Sequence, residues 1–223
     1  MTSSAFSNSQ LPPGAPVEGS SAARNRWYVM GKRVLDVASS GAGLLILAPA
    51  FGAAALSVKR SSPGPVLFRQ VRVGRNGRPF RIAKFRSMRL DASGPAVTAG
   101  GDARVTRVGR LLRRTKIDEL PQLWNVLVGD MSLVGPRPEM QRYVDRFPGD
   151  YARILTVRPG ITDFAAVEYR DEESVLARAP DAEAAYLETV LPAKIRLYHR
   201  YLDEMSFGTD LRLVLRTLAA LLR

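Results

Sequence analysis

Two carboxylates stand side by side, Asp118 and Glu119 in "TKIDELPQLWNVLVGD", directly after "RVTRVGRLLRR", in which five arginines occur without an acid. One reading of the pair is architectural. Asp is a favoured N-cap, acids suit a first helical turn and Pro is tolerated there, so "DELP" reads as the start of a helix. The other reading is chemical. A helix N-terminus also attracts phosphate, and a carboxylate flanked by arginines stays ionised near neutral pH, able to attack phosphorus once a cation screens the repulsion. Mg2+ is the natural screen, because it pairs one or two carboxylates with phosphate oxygens. Adjacent helical positions diverge by about 100°, so both acids reach one site only at a helix terminus.

Further cations could serve the same chemistry. Arg137 sits between two prolines in "GPRP", a stiff mount for a guanidinium fork; the plainer alternative is a surface turn with a salt-bridged arginine. In "AKFRSM", Lys84 and Arg86 share one face of a strand and could present two cations to an anion, or simply form a solvated face.

Composition narrows the chemistry. The chain has 223 residues, 33 Lys and Arg against 21 Asp and Glu, and a formal charge of +12. That excess points to a polyanionic partner: nucleic acid, an anionic membrane surface or a phosphorylated substrate. There is no Cys and one His, His199. Thiolate nucleophiles and Cys-built zinc sites are excluded, and a Ser-His-Asp triad has few ways to form. A nucleophile here is an oxygen or a Lys, and a metal is a hard one held by oxygen.

The elements that position these groups can be read in outline. Residues 1–26 form a disordered tail, rich in Ser, Pro, Ala and Gly through residue 23, without the pattern of a signal peptide. Residues 34–58 carry one charge, Asp36, and basic residues lie on both sides. A straight helix over that run would be about 37 Å long against a bilayer core of roughly 30 Å. Positive charge at both ends favours neither orientation, as expected if both ends stay in the cytoplasm, and Pro49 breaks the helix inside the run. A re-entrant helix-break-helix over 27–60 satisfies both observations; a spanning helix and a buried soluble hairpin are the alternatives.

Beyond the anchor, Asn76-Gly77 marks a hairpin between strands 66–73 and 79–85. Residues 104–116 form an amphipathic helix with Val105, Val108, Leu111 and Leu112 on one face, and 118–128 a more apolar one. Leu211, Val214, Leu215, Leu218, Leu221 and Leu222 keep helical spacing behind a Thr209-Asp210 cap, on a helix that either packs on the core or lies on a membrane. There is no internal repeat, Walker A or Rossmann glycine pattern.

Taken together, "KRVLDV", "SPGPVLFRQVRVG", "FRIAKFRSM", "KIDELPQLWNVLVGDMSLVGPRPE" and "VRPGIT" resemble the bacterial sugar transferases, the monotopic phosphoglycosyl transferases, from about residue 32 to the C-terminus. The resemblance implies transfer of a sugar 1-phosphate from a nucleoside diphosphate sugar, usually UDP-linked, to undecaprenyl phosphate, with release of UMP and a need for Mg2+. It implies that Asp118 attacks the β-phosphorus and that Glu119 assists through the metal or as a base, both acids serving as metal ligands. Lys84, Arg113, Arg137 and Arg170 would hold the diphosphate, and Pro136, Arg137 and Pro138 would contact the nucleotide. Two departures stand out: Ala48-Pro49 where many relatives have Ser-Pro, and Asp163 where many have Gly, which suggests a subgroup difference near the sugar or lipid.

The expected fold is α+β and mainly helical: a re-entrant anchor over 27–60 and a small catalytic domain over 61–223 on the cytoplasmic face of the bacterial inner membrane, with a short β-hairpin and surface amphipathic helices. Membrane lipid is an expected partner, nucleic acid is not, and a homodimer is allowed. A nucleic-acid-binding module would explain the charge but not the apolar run, and a non-enzymatic membrane scaffold would leave Asp-Glu beside Pro-Arg-Pro without a purpose.

Overall fold

The computed structural model describes residues 26–90, 100–170 and 172–221; all but the last residue of the expected tail lies outside them. Helix α1 (Arg26–Ile46) and helix α2 (Ala48–Ser61) meet at a 62° bend. The break falls at Leu47, two residues before Pro49, which sits in the first turn of α2 where a missing N–H is harmless. No single helix among the described residues is long and apolar enough to cross a membrane, whereas the bent pair meets that test jointly. Helix α1 is built inside out relative to a soluble helix. Its exposed positions include Trp27, Met30, Val34, Leu35, Leu45 and Ile46, and its two buried residues are polar, Asp36 and Ser40.

Strands β1 (Leu67–Val73) and β2 (Pro79–Phe85) form the expected antiparallel hairpin, in register from Leu67 opposite Phe85 to Val73 opposite Pro79. Its turn places Asn76 and Gly77 at φ 57° and 73°, the left-handed region that an Asn-Gly pair tolerates. A second, parallel pair, β3 (Ser132–Val134) and β4 (Gly160–Thr162), was not legible in the sequence, since three residues show no alternation. Gly160 permits its close approach: a Cβ there would lie 2.1 Å from the backbone nitrogen of Gly135.

Helix α3 (Arg107–Arg114) is shorter than the expected 104–116, because Thr106 caps it by accepting from the Gly109 N–H at 2.8 Å. Leu112 of this helix is buried, but Leu111, expected on the same face, is exposed. Residues 118–128 do not form one helix. Ile117–Glu119 is a single 3-10 turn, and α4 (Gln122–Val128) follows it.

The remaining helices are α5 (Gln141–Val144), α6 (Pro148–Ile154), α7 (Phe164–Glu168), α8 (Glu172–Leu176), α9 (Ala182–Ala185), α10 (Leu191–Glu204) and α11 (Phe207–Leu221), of which α7 and α11 pack on the second sheet and α5 on β1. A π-helical turn, Tyr186–Val190, joins α9 to α10. The largest core cluster gathers Tyr143, Tyr151, Leu176, Tyr186, Leu191 and Tyr198. A second, containing Ala54, Val58, Phe85 and Leu112, ties α2 to the hairpin and α3.

Helix α11 begins at Phe207, and its cap is Ser206, whose Oγ accepts from the Thr209 N–H at 3.1 Å, instead of the expected Thr209-Asp210 pair. Asp210 instead gathers three donors, Lys32 Nζ (2.6 Å), Tyr28 Oη (2.9 Å) and Tyr201 Oη (2.9 Å), and so joins α1, α10 and α11. Leu213 is fully buried while Leu211, Leu215 and Leu218 are exposed, so α11 packs on the core by one face and leaves an apolar stripe on another. Leu222 lies outside the described residues.

Candidate active site

Asp118 and Glu119 lie in the 3-10 turn between α3 and α4, introduced by Lys116 in the left-handed region at φ 57°. Neither acid caps α4, whose N-cap position is Pro121 with no side-chain cap, so the architectural reading of "DELP" does not hold. The turn is fixed to the hairpin by Asn125 of α4. Its Oδ1 accepts from the Ala83 N–H (3.0 Å) and its Nδ2 donates to the Arg81 carbonyl (2.9 Å), so that the amide pairs with β2 as a strand would. Gly129, at φ 98°, ends α4, and Arg33 of α1 donates to the carbonyls of Val126 (2.6 Å) and Leu127 (2.8 Å) in its last turn.

This frame delivers two cations to one carboxylate oxygen. Lys84 Nζ, on β2, donates to Glu119 Oε1 at 2.8 Å, and Arg137 Nη2, on the segment after β3, donates to the same oxygen. Burial works against ionisation of Glu119, but Arg137 and Lys84 outweigh it and hold the carboxyl well below its ordinary range. Asp118 is treated differently. It is 6% exposed, its Oδ1 has no hydrogen-bond partner, and burial together with the adjacent Glu119 charge pushes its pKa up to about 6. Burial also lowers the Lys84 ammonium, while Glu119 raises the Arg137 guanidinium.

The pair faces a cavity of about 930 Å3, large enough for a ligand of substantial size. Lys84, Arg113, Arg137, Pro138 and Arg170 line it with the two acids. Arg113, at the end of α3, is paired with Glu173 of α8 at 2.9 Å. Pro136 is buried outside the lining and serves as a mount, its carbonyl accepting from the Gly160 N–H at 2.9 Å. Arg86 does not join Lys84. It is buried, donating to the carbonyls of Pro63 (2.5 Å) and Ser62 (2.7 Å), because it follows the end of β2 and turns beneath the "SSPGP" loop.

The lining also has apolar residues, among them Leu123 of α4 and Val214 and Leu218 of α11. Gly43 of α1 faces Leu123, where a Cβ would stand 3.2 Å from its Cδ1, so α1 adjoins this part of the lining. The hard oxygens of Asp118 and Glu119, one of them unpartnered, fit Mg2+. No group of three His, Cys, Asp or Glu that could hold a metal occurs among the described residues, so such an ion would need oxygens from a substrate.

Among the polar groups of the cavity that sequence reading missed are Glu139 and Lys194. They are buried, 3.7 Å apart, with Tyr186 Oη donating to Glu139 Oε1 at 2.6 Å and Lys194 Nζ donating to Glu172 at 3.0 Å. Lys194 lies in a helical stretch whose apolar spacing masks it; Glu139, directly after Pro-Arg-Pro, could have been suspected.

The sequence profile described as bacterial sugar transferase matches residues 27–223. The chain is 43% identical over 196 residues to a UDP-glucose:undecaprenyl-phosphate glucose-1-phosphate transferase of Caulobacter vibrioides, covering 86% of this chain and 69% of that protein. It is 40% identical to an exopolysaccharide production protein of Rhizobium leguminosarum, covering 85% and 94%. With a UDP-N-acetylgalactosamine-undecaprenyl-phosphate N-acetylgalactosaminephosphotransferase of Aeromonas hydrophila it shares 39% identity over 87% of this chain and 44% of that protein. The match runs from the inside-out helix through the acidic pair to the C-terminus, and the chain therefore belongs to the bacterial sugar transferase family, as an enzyme of the phosphoglycosyl transferase class.

Proposed function

We propose that the chain transfers a sugar 1-phosphate from a UDP-sugar to undecaprenyl phosphate at a membrane surface, the first step of glycan assembly. The observation that carries this reading is the division of labour within the acidic pair: Glu119 accepts from Lys84 and Arg137 through one oxygen, while the neighbouring Asp118, which also lines the cavity, has a buried Oδ1 without a hydrogen-bond partner. A carboxylate withheld from hydrogen bonds and with a pKa near 6 is ionised at neutral pH yet poorly stabilised, which suits a nucleophile.

Asp118 would attack the sugar-bearing β-phosphorus. A P–O bond to the carboxylate forms, the bond to the bridging oxygen breaks, and UMP departs with the electron pair. An oxygen of undecaprenyl phosphate then attacks the same phosphorus, and the Asp118 carboxylate is released. Lys84 and Arg137 would meet the negative charge that gathers on the diphosphate, together with Arg113 and Arg170, which also line the cavity. Asp118 and Glu119 would hold Mg2+, which supplies charge neutralisation between carboxylate and diphosphate when bound.

Membrane attachment is supported by the inside-out character of α1 and by the bent helix pair, which as a re-entrant anchor keeps both ends on the cytoplasmic side. The apolar part of the lining beside Gly43 suits the prenyl chain of the acceptor. The test is UMP release by purified protein given Mg2+, undecaprenyl phosphate and a panel of UDP-sugars, with mass spectrometry for a sugar phosphate on Asp118. No UMP from any donor, or full activity in Asp118→Asn, sinks the proposal.

A further inference from the structure

Arg137 reaches Glu119 from an unusual backbone position. Beyond β3 the Gly135 N–H donates to the Thr162 carbonyl (3.0 Å), and the chain then turns back over the start of β4, where the Pro136 carbonyl accepts from the Gly160 N–H (2.9 Å). Pro136 has no N–H, so the next donor along the chain is the N–H of Arg137. β4 has ended at Thr162 and α7 begins at Phe164, and the backbone bond made by Gly135 is not repeated there.

The Asp163 side chain supplies the missing acceptor. Its Oδ2 accepts from the Arg137 N–H at 3.2 Å while its Oδ1 caps α7 by accepting from the Ala166 N–H at 2.6 Å. Asp163 itself is extended (φ −160°, ψ −171°) and 0% exposed. A single buried carboxylate thus ties down the backbone of the Pro-Arg-Pro segment and starts the following helix. Backbone donors withdrawn from water require partners, and without this carboxylate the part-buried Arg137 N–H would be left for the chain to satisfy by moving.

We infer that Asp163 is a positioning residue for Arg137, fixing the backbone from which the guanidinium reaches the diphosphate; this rests on the function proposed above. Asp163 never touches the substrate. Its effect passes through Arg137, where a displacement of about 1 Å can lower a rate by roughly a hundredfold.

The test is a double-mutant cycle of Asp163→Asn and Arg137→Lys in the full chain, read as kcat/KM for UMP release. Asn retains one acceptor for the Ala166 N–H but presents an amide N–H to Arg137. Asp163→Asn is expected to lower kcat/KM about tenfold in the parent and less than about twofold in Arg137→Lys, as for residues acting in one unit. Its thermal midpoint stays within about 3 °C of the parent. Equal losses in both backgrounds, or no loss in the parent, overturn the inference. Should Asp163→Asn not fold, Asp163→Ser keeps the cap with a single oxygen and enters the same cycle. If the parent releases no UMP, the proposed function fails and takes this inference with it. If the parent turns over and Arg137→Lys is impaired while Asp163→Asn is not, only the role of Asp163 falls.

Discussion

Asp118 and Asp210 are both carboxylates drawn out of solvent beside basic residues, and the fold treats them oppositely. Asp210 accepts from Lys32, Tyr28 and Tyr201 and pins three helices together. Asp118 has an unpartnered Oδ1, while Lys84 and Arg137 are drawn to Glu119. The difference separates a carboxylate that holds structure from one poised for chemistry: hydrogen-bond saturation stabilises the charge in the first, and its lack keeps the second reactive.

The comparison breaks most sharply on activity. Asp118→Asn is expected to lower UMP release by at least about a thousandfold, some 4 kcal/mol of barrier, with no loss of thermal stability. Retained turnover would return Asp118 to the structural class. Conversely, Asp210→Ala strands Lys32 and the Tyr28 hydroxyl and leaves Tyr201 only the Val134 carbonyl, for a destabilisation of about 3 kcal/mol. In a thermal melt in detergent that is a drop of roughly 6–12 °C, and a shift under about 2 °C would remove Asp210 from its assigned role.

Arg137→Lys tests how the second carboxylate is served. A point charge replaces the planar fork, and kcat/KM should fall roughly 30-fold, about 2 kcal/mol; a change smaller than twofold would mean that any cation suffices there.

The gentlest probe is pH. Asp118 has a folded-state pKa near 6, above its unfolded value, so between about pH 4 and 6 the native state binds more protons and stability falls as pH rises. In chelator-treated protein the stability gap between Asp118→Asn and the parent should therefore open across that window in the variant's favour, by at most about 1.4 kcal/mol per pH unit. Asp163, also raised to about 6 by burial, titrates in both proteins and drops out of the difference. A gap that is constant with pH would contradict the buried, unpartnered state of Asp118.

Local signals carried much of the fold. Asn76-Gly77 specified the hairpin and its register, and Pro49 specified the bend to within two residues. Motif order brought Lys84, the acids and Arg137 to one cavity before any geometry was available. What escaped was set by partners remote in sequence. Arg86 looked like a second anion-binding cation, but two loop carbonyls claim it. Thr209-Asp210 looked like a cap, but Lys32 and Tyr28, near the other end of the chain, give Asp210 a different task. Asp163 could be read only as a departure from related sequences, since its value depends on where β4 stops against Arg137.

The contacts of α1 bear on how this enzyme could be re-engineered. Asp36 accepts from the Leu133 N–H at 2.9 Å, at the strand leading to Arg137, and Arg33 holds the last carbonyls of the helix that follows the acids. Helix α1 is therefore not an interchangeable hydrophobic segment. Exchanging it for an unrelated apolar helix would remove two struts from the candidate site, so grafting must carry Arg33 and Asp36 across together.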